Sequence, residues 1–136
     1  MALDVGDRRI GVALSDPTGM LATPFTAVDR VTAKPSDIDE ILRIAREQEA
    51  ESIVVGMPLT LAGAEGVQAK SVRAFVSDLS ERADLPVDTI DERYSTVQAQ
   101  RMIRESGAGR VRDRDRGRID ASAAAVILQA YLDAQR

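Results

Sequence analysis

The sequence predicts an α/β fold: a five-stranded mixed sheet, its first three strands antiparallel, flanked by helices. Three observations lead there. Two short apolar runs, "LDVG" and "IGVALS", flank a Gly-Asp-Arg-Arg turn and precede a third extended run. The hydrophobic period then changes to that of a helix in "KPSDIDEILRIAREQEA". Beyond it strands and helices alternate, the pattern of parallel strands joined by right-handed crossovers. No repeat and no linker rich in Pro, Gly or Ser divides the 136 residues, so 1–136 read as one domain.

Taken in order, Leu3 to Gly6, Ile10 to Ser15 and Ala22 to Val28 form an antiparallel meander, with Gly6 permitting the tight first turn. Ser36 caps the first helix, on which Ile38, Ile41, Leu42 and Ala45 share a face. "SIVVGMP" is a β-branched run closed by Gly56 and Pro58, as suits a buried parallel strand. A second helix runs from about Val67 to Arg82, lined by Val72, Phe75, Val76 and Leu79, and Val87 to Ile90 is the fifth strand. "STVQAQRMIRESG" makes a third helix, with Ser95 and Gln98 as a capping box and Gly107 as its stop. After an arginine-rich loop, Asp120 opens a last helix to Ala134 that is apolar on most faces and therefore buried.

Composition narrows the chemistry. At 44% hydrophobic and 29% charged residues the chain is ordinary for a globular protein. No apolar run approaches the roughly 20 residues that span a bilayer, and no basic segment leads into an apolar one, so neither a membrane span nor a secretory signal is expected. The absence of cysteine excludes disulfides and thiolate chemistry, which fits the cytoplasm. The absence of histidine removes Ser-His-Asp systems, HExxH zinc sites and the usual general base. Hydrolysis would have to rest on carboxylates, lysine, hydroxyls or a metal held by oxygen, and oxygen ligation favours a hard cation such as Mg²⁺. The net charge of −4 disfavours nonspecific coating of nucleic acid, yet residues 106–119 carry five arginines against two aspartates.

Three carboxylates stand in awkward places. Asp4 interrupts the first strand, Glu92 ends the fifth, and Asp120 opens the buried last helix. Chemistry in such sheets gathers at the carboxyl ends of the strands, and the three would meet there if strands one and five are near neighbours. Like charges at contact distance cannot all stay ionised without a cation. With one or two Mg²⁺ ions the cluster can activate water and stabilise the leaving oxygen of a phosphodiester, which makes a metal-dependent nuclease the best-supported enzyme class. Each acid also has a plainer reading. Asp4 is a turn residue before Gly6, Glu92 pairs with Arg93 or caps the third helix, and Asp120 is an N-cap. The arginine-rich stretch also reads as a solvated surface segment with internal Asp-Arg pairing.

"LDVGDRRIGVALSD", "IVVGMPLTLAG", "DERYSTVQAQ" and "RGRIDASAAAVIL" occur in this order and spacing. Together they resemble the YqgF family of RNase H-like proteins, known as pre-16S rRNA nucleases and, in older usage, Holliday junction resolvases. The resemblance implies an RNase H-like fold and a nuclease that processes the 5′ end of precursor small-subunit (16S) ribosomal RNA in the cytoplasm. It implies that Asp4, Glu92 and Asp120 are catalytic and hold Mg²⁺ or Mn²⁺, and that Arg9, Arg93, Ser95, Thr96 and Arg118 bind substrate. Thr60 and Ala62 depart from the family's usual amide and acid, Arg116-Gly117-Arg118 replaces a KGK, and Asp7 is atypical. RuvC-type junction resolvases carry a further metal-binding residue three positions beyond their late aspartate, where this chain has Ala123, so RNA processing fits better than junction cleavage.

Competing classes are a nucleotide-binding domain of the actin type, which needs two such domains around ATP, and a non-catalytic RNA-binding ribosome-assembly factor. Two Tyr and two Phe disfavour base stacking but leave phosphate contacts through arginine. The expected partner is RNA, with branched DNA as the alternative, no membrane, and a monomer or weak homodimer as the assembly.

Overall fold

Five strands form one sheet in the order β3-β2-β1-β4-β5. The computed structural model describes residues 1–59, 63–92 and 113–135. Strands β1 (Ala2–Val5), β2 (Arg9–Ser15) and β3 (Ala22–Asp29) pair antiparallel, whereas β4 (Ile53–Met57) runs parallel to β1, and β5 (Val87–Asp91) parallel to β4. The mixed sheet and its antiparallel first half are those expected from the sequence. Gly6 closes the first turn by donating its N–H to the Arg9 carbonyl at 2.9 Å, and a Cβ there would lie 2.9 Å from that same oxygen.

Alternation along the strands sorts side chains onto two cores. Leu3, Val5, Ile10, Val12, Ile53 and Val55 face α1 (Asp37–Glu47) and α2 (Val67–Arg82), meeting Ile38, Ile41, Val72, Phe75 and Leu79. Ala2, Ala13 and Val54 face the opposite way, against Ala123, Ala124, Ile127 and Leu128 of α3 (Asp113–Ala134). Small residues on both sides of that second layer let the helix lie close to the sheet. Gln129 of α3 pins the β2–β3 connection, accepting from the Ala22 N–H and donating to the Met20 carbonyl, each at 3.0 Å.

Both α1 and α2 match their sequence reading, although Leu42 and Val76 are only partly buried and Ile44 takes an inner position on α1. The last helix differs. It already includes Asp113, so half of the expected arginine-rich loop is helical and Asp120 lies well inside the helix, where it cannot be an N-cap. Gly117 faces Ala27 of β3, where an added Cβ would stand 3.5 Å from the Ala27 Cβ, an ordinary contact. The expected third helix, the capping pair Ser95 and Gln98, and Thr60 and Ala62 lie outside the described residues. Among the described residues no helix is long and apolar enough to cross a membrane.

Ser36 caps α1 through a reciprocal box: its Oγ accepts from the Asp39 N–H, and Asp39 accepts the Ser36 N–H at 2.8 Å. The backbone bond from Ser36, with Arg82 of α2 bonded to the other oxygen, holds the Asp39 carboxyl down at about 2. Because its folded pKa lies below the unfolded value of 3.8, the stability it adds is present above pH 3.8 and is lost as pH falls through about 2. Denaturant melts across this range should therefore show a smaller acid loss of stability for Asp39→Asn than for the parent chain.

Candidate active site

Asp4, Glu92 and Asp120 are all buried, at 2%, 1% and 8% exposure. Only the backbone explains how three acids fit on one face. Asp4 shares the α3 face of β1 with Ala2, and its cross-strand partner on β2 is Gly11. The β1–β4 register pairs Leu3 with Val55, so one step further Asp4 lies beside Gly56. The acid thus stands between two residues without side chains.

Each glycine makes room for one of the other acids. A Cβ on Gly11 would overlap the carbonyl oxygen of Asp120, so the backbone of α3 rests directly on β2 at this point. A Cβ on Gly56 would stand 2.5 Å from Glu92 Oε1 and 2.6 Å from Ile127 Cδ1, so the Glu92 carboxylate leans over β4 on the α3 face. Glycine in a strand interior often marks such close approach. That signal was present in the sequence at Gly11 and Gly56, and the sequence reading did not use it for the site.

Asp120 Oδ2 accepts a hydrogen bond from Arg9 Nε at 2.8 Å, a charge-assisted contact between the first hairpin and α3. This tie accounts for Asp120 better than capping does. Among the described residues no three carboxylates are drawn into a metal cage: the acids share a face, but Asp120 is turned onto Arg9. No buried side-chain nitrogen or oxygen among the described residues lacks a hydrogen-bond partner. Arg118 is exposed on α3 near the groove beside β3, and Arg93, Ser95 and Thr96 lie outside the described residues.

The donor set fits a hard cation. It is all oxygen, and the Glu92 carboxylate occupies space that a Cβ at position 56 would fill. Ala123, three residues beyond Asp120, is fully buried among Ala2, Ala13 and Val54 and adds no ligand.

Two further residues position this region and were not singled out from the sequence. Arg30 donates from Nε to Asp37 Oδ2 and from NH1 to the Gly6 carbonyl, each at 2.9 Å, and its guanidinium lies 5.3 Å from the Phe75 ring centroid. It ties the turn preceding Arg9 to α1 and α2 at once. Asp37, a fourth buried acid, is thereby matched by its own arginine and belongs to the scaffold.

A family model described as "RuvX: Holliday junction resolvase" matches residues 1–134. The chain belongs to the RuvX family. A Roseiflexus sp. (strain RS-1) relative is 46% identical over 136 residues, all of this chain and 94% of the other. A Desulforamulus reducens relative is 44% identical over 133 residues, 98% of this chain and 95% of the other. Both carry the name "Putative pre-16S rRNA nuclease". RuvC from T. thermophilus, solved in complex with a Holliday junction substrate, superposes with a TM-score of 0.51 at 14% identity, over 98% of this chain and 92% of that one. That likeness establishes the RNase H-like fold of this RuvX-family chain.

Gly11→Ala tests the close approach of α3. Adding a methyl against the Asp120 backbone should cost about 1–3 kcal/mol in urea unfolding, the usual range for overpacking. An unchanged midpoint would mean that α3 does not rest on this glycine.

Proposed function

We propose that this chain is a metal-dependent nuclease that processes the 5′ end of precursor 16S ribosomal RNA. The observation that carries the reading is the row Gly11–Asp4–Gly56, over which Asp120 and Glu92 are brought in a chain without histidine. It is supported by the names of the relatives, which span nearly all of the chain.

Asp4, Glu92 and Asp120 would hold Mg²⁺ or Mn²⁺. A hard cation held there would supply a nucleophilic water at neutral pH and charge stabilisation at the scissile phosphate. The chain's own residues do the rest. The three carboxylates would fix its place against the sheet, with α3 packed alongside through its alanines. Arg9, which meets Asp120 through Nε, has terminal guanidinium nitrogens of the type that bind phosphate oxygens. Arg118 on α3, with Arg93, Ser95 and Thr96, holds more of the RNA backbone. We place the activity in the cytoplasm, where precursor ribosomal RNA is made.

Junction cleavage is a second reading, favoured by the description of the family and by the fold shared with RuvC. Packing of Ala123 into the α3 core weighs against it, since that position offers no oxygen.

Cleavage of a precursor 16S fragment with and without Mn²⁺, beside a four-way DNA junction, separates the readings. The expected result is Mn²⁺-dependent cutting of the RNA, reduced at least about 100-fold by Asp4→Asn, equivalent to roughly 2.7 kcal/mol of transition-state stabilisation. Equal cutting by both proteins would remove Asp4 from the site. Junction cutting without RNA cutting would favour the second reading, and tight salt-dependent binding without cutting would favour an assembly factor.

A further inference from the structure

A groove of about 550 Å³ runs between the edge strand β3 and α3, lined among others by Pro24, Phe25, Ala27, Arg118, Ala121 and Ser122. We propose that it is a base-binding subsite for single-stranded RNA, in which Phe25 stacks on an unpaired base and Arg118 holds an adjoining phosphate. The inference rests on the reading of the chain as an RNA nuclease and adds a residue to which the sequence analysis assigned no role.

Phe25 owes its position to a break in the ladder. The β2–β3 register pairs Val12 with Thr26 and Ala13 with Pro24, which leaves Phe25 as the extra residue of a bulge. Bulges bend the strand and re-aim one side chain, commonly at sheet edges and beside active sites. Here the re-aimed side chain is one of only two phenylalanines in the chain. It is 45% exposed, whereas the other, Phe75, is 4% exposed in the core. An aromatic ring held on a rigid edge is a stacking surface that accepts any base.

Charge selects the side of the strand. Among the described residues lining the groove, Arg118 is the one charged side chain. Phe25 also borders the neighbouring hollow on the α1 side, but that hollow carries Asp29, Glu40 and Glu47 beside Arg43 and would repel phosphate. Continuity supplies a third argument. Arg118 and Ala121 flank Asp120 along α3, so the groove runs beside the turn of helix that carries this acid. A partner's β-strand is a poor occupant, because Pro24 has no N–H to donate and the bulge interrupts the edge.

The test is binding of a short single-stranded oligoribonucleotide bearing one 2-aminopurine, measured in EDTA by anisotropy and by quenching of the modified base. Phe25→Ala should weaken binding about 10-fold or more and abolish the quenching, and Phe25→Trp should restore both. Replacing the reporter base by an abasic site should erase the Phe25→Ala penalty. Arg118→Ala should lower the salt slope by about 0.7, one phosphate, whereas Phe25→Ala leaves the slope unchanged.

The proposal is overturned if Phe25→Ala binds like the parent chain, if it loses equally with the abasic ligand, if the parent chain binds no RNA, or if the substitution dissociates a dimer in which a second copy covers Phe25. Cleavage assayed in parallel keeps the two readings apart. RNA cut by Phe25→Ala with parental kcat and KM overturns the subsite and leaves the nuclease standing. Phe25-dependent binding without Mn²⁺-dependent cutting supports the subsite and contradicts the nuclease.

Discussion

The contact on which this structure depends is the seating of α3 directly on Gly11. With any side chain at that position the helix would be forced away from the sheet, since the added carbon would overlap the Asp120 backbone, which cannot swing aside as a side-chain tip can. Alanines at 121, 123 and 124 continue the same close packing along the helix, opposite Ala2 and Ala13. Asp120 is carried into place by this packing, and its ion pair with Arg9 completes the attachment. Burying a carboxylate costs several kcal/mol unless it is matched, so the arrangement persists only because Asp120 meets a guanidinium and no buried polar side-chain atom among the described residues is left without a partner.

The two faces of the sheet divide the work. On one, long aliphatic side chains from four strands interlock with α1 and α2, supplying most of the large buried hydrophobic residues. On the other, small residues and glycines replace bulk with proximity, and the buried acids Asp4, Glu92 and Asp120 are found there. Arg30 links the two, reaching from the end of β3 to the Gly6 carbonyl and to Asp37 at the start of α1. The turn that precedes Arg9 is therefore held by the scaffold face while Arg9 itself engages the acid face.

Much of this was legible in the sequence, for identifiable reasons. The helix α2 ends where its periodicity ends, and α1 begins where Ser36 and Asp39 can close a box. The acids of the candidate site stand out because a carboxylate inside an apolar strand or an alanine-rich helix is costly. The start of α3 was not legible: an alternating Asp-Arg run with a glycine reads as a loop, and only packing of the helix on β2 and β3 overrides that local preference. Nor was the tie between Arg9 and Asp120, because it joins positions 111 residues apart and no local pattern announces it. The exposed Phe25 was hidden for a similar reason, since the bulge that re-aims it is a mismatch between two strands rather than a property of either.

The central proposal is that Asp4, between Gly11 and Gly56, forms a cation site with Glu92 and Asp120. Anomalous diffraction from crystals of the active protein grown in Mn²⁺ tests it most directly. The account predicts one or two strong peaks contacted by the carboxylates of Asp4, Glu92 and Asp120. A peak elsewhere on the molecule, touching none of the three, would contradict it.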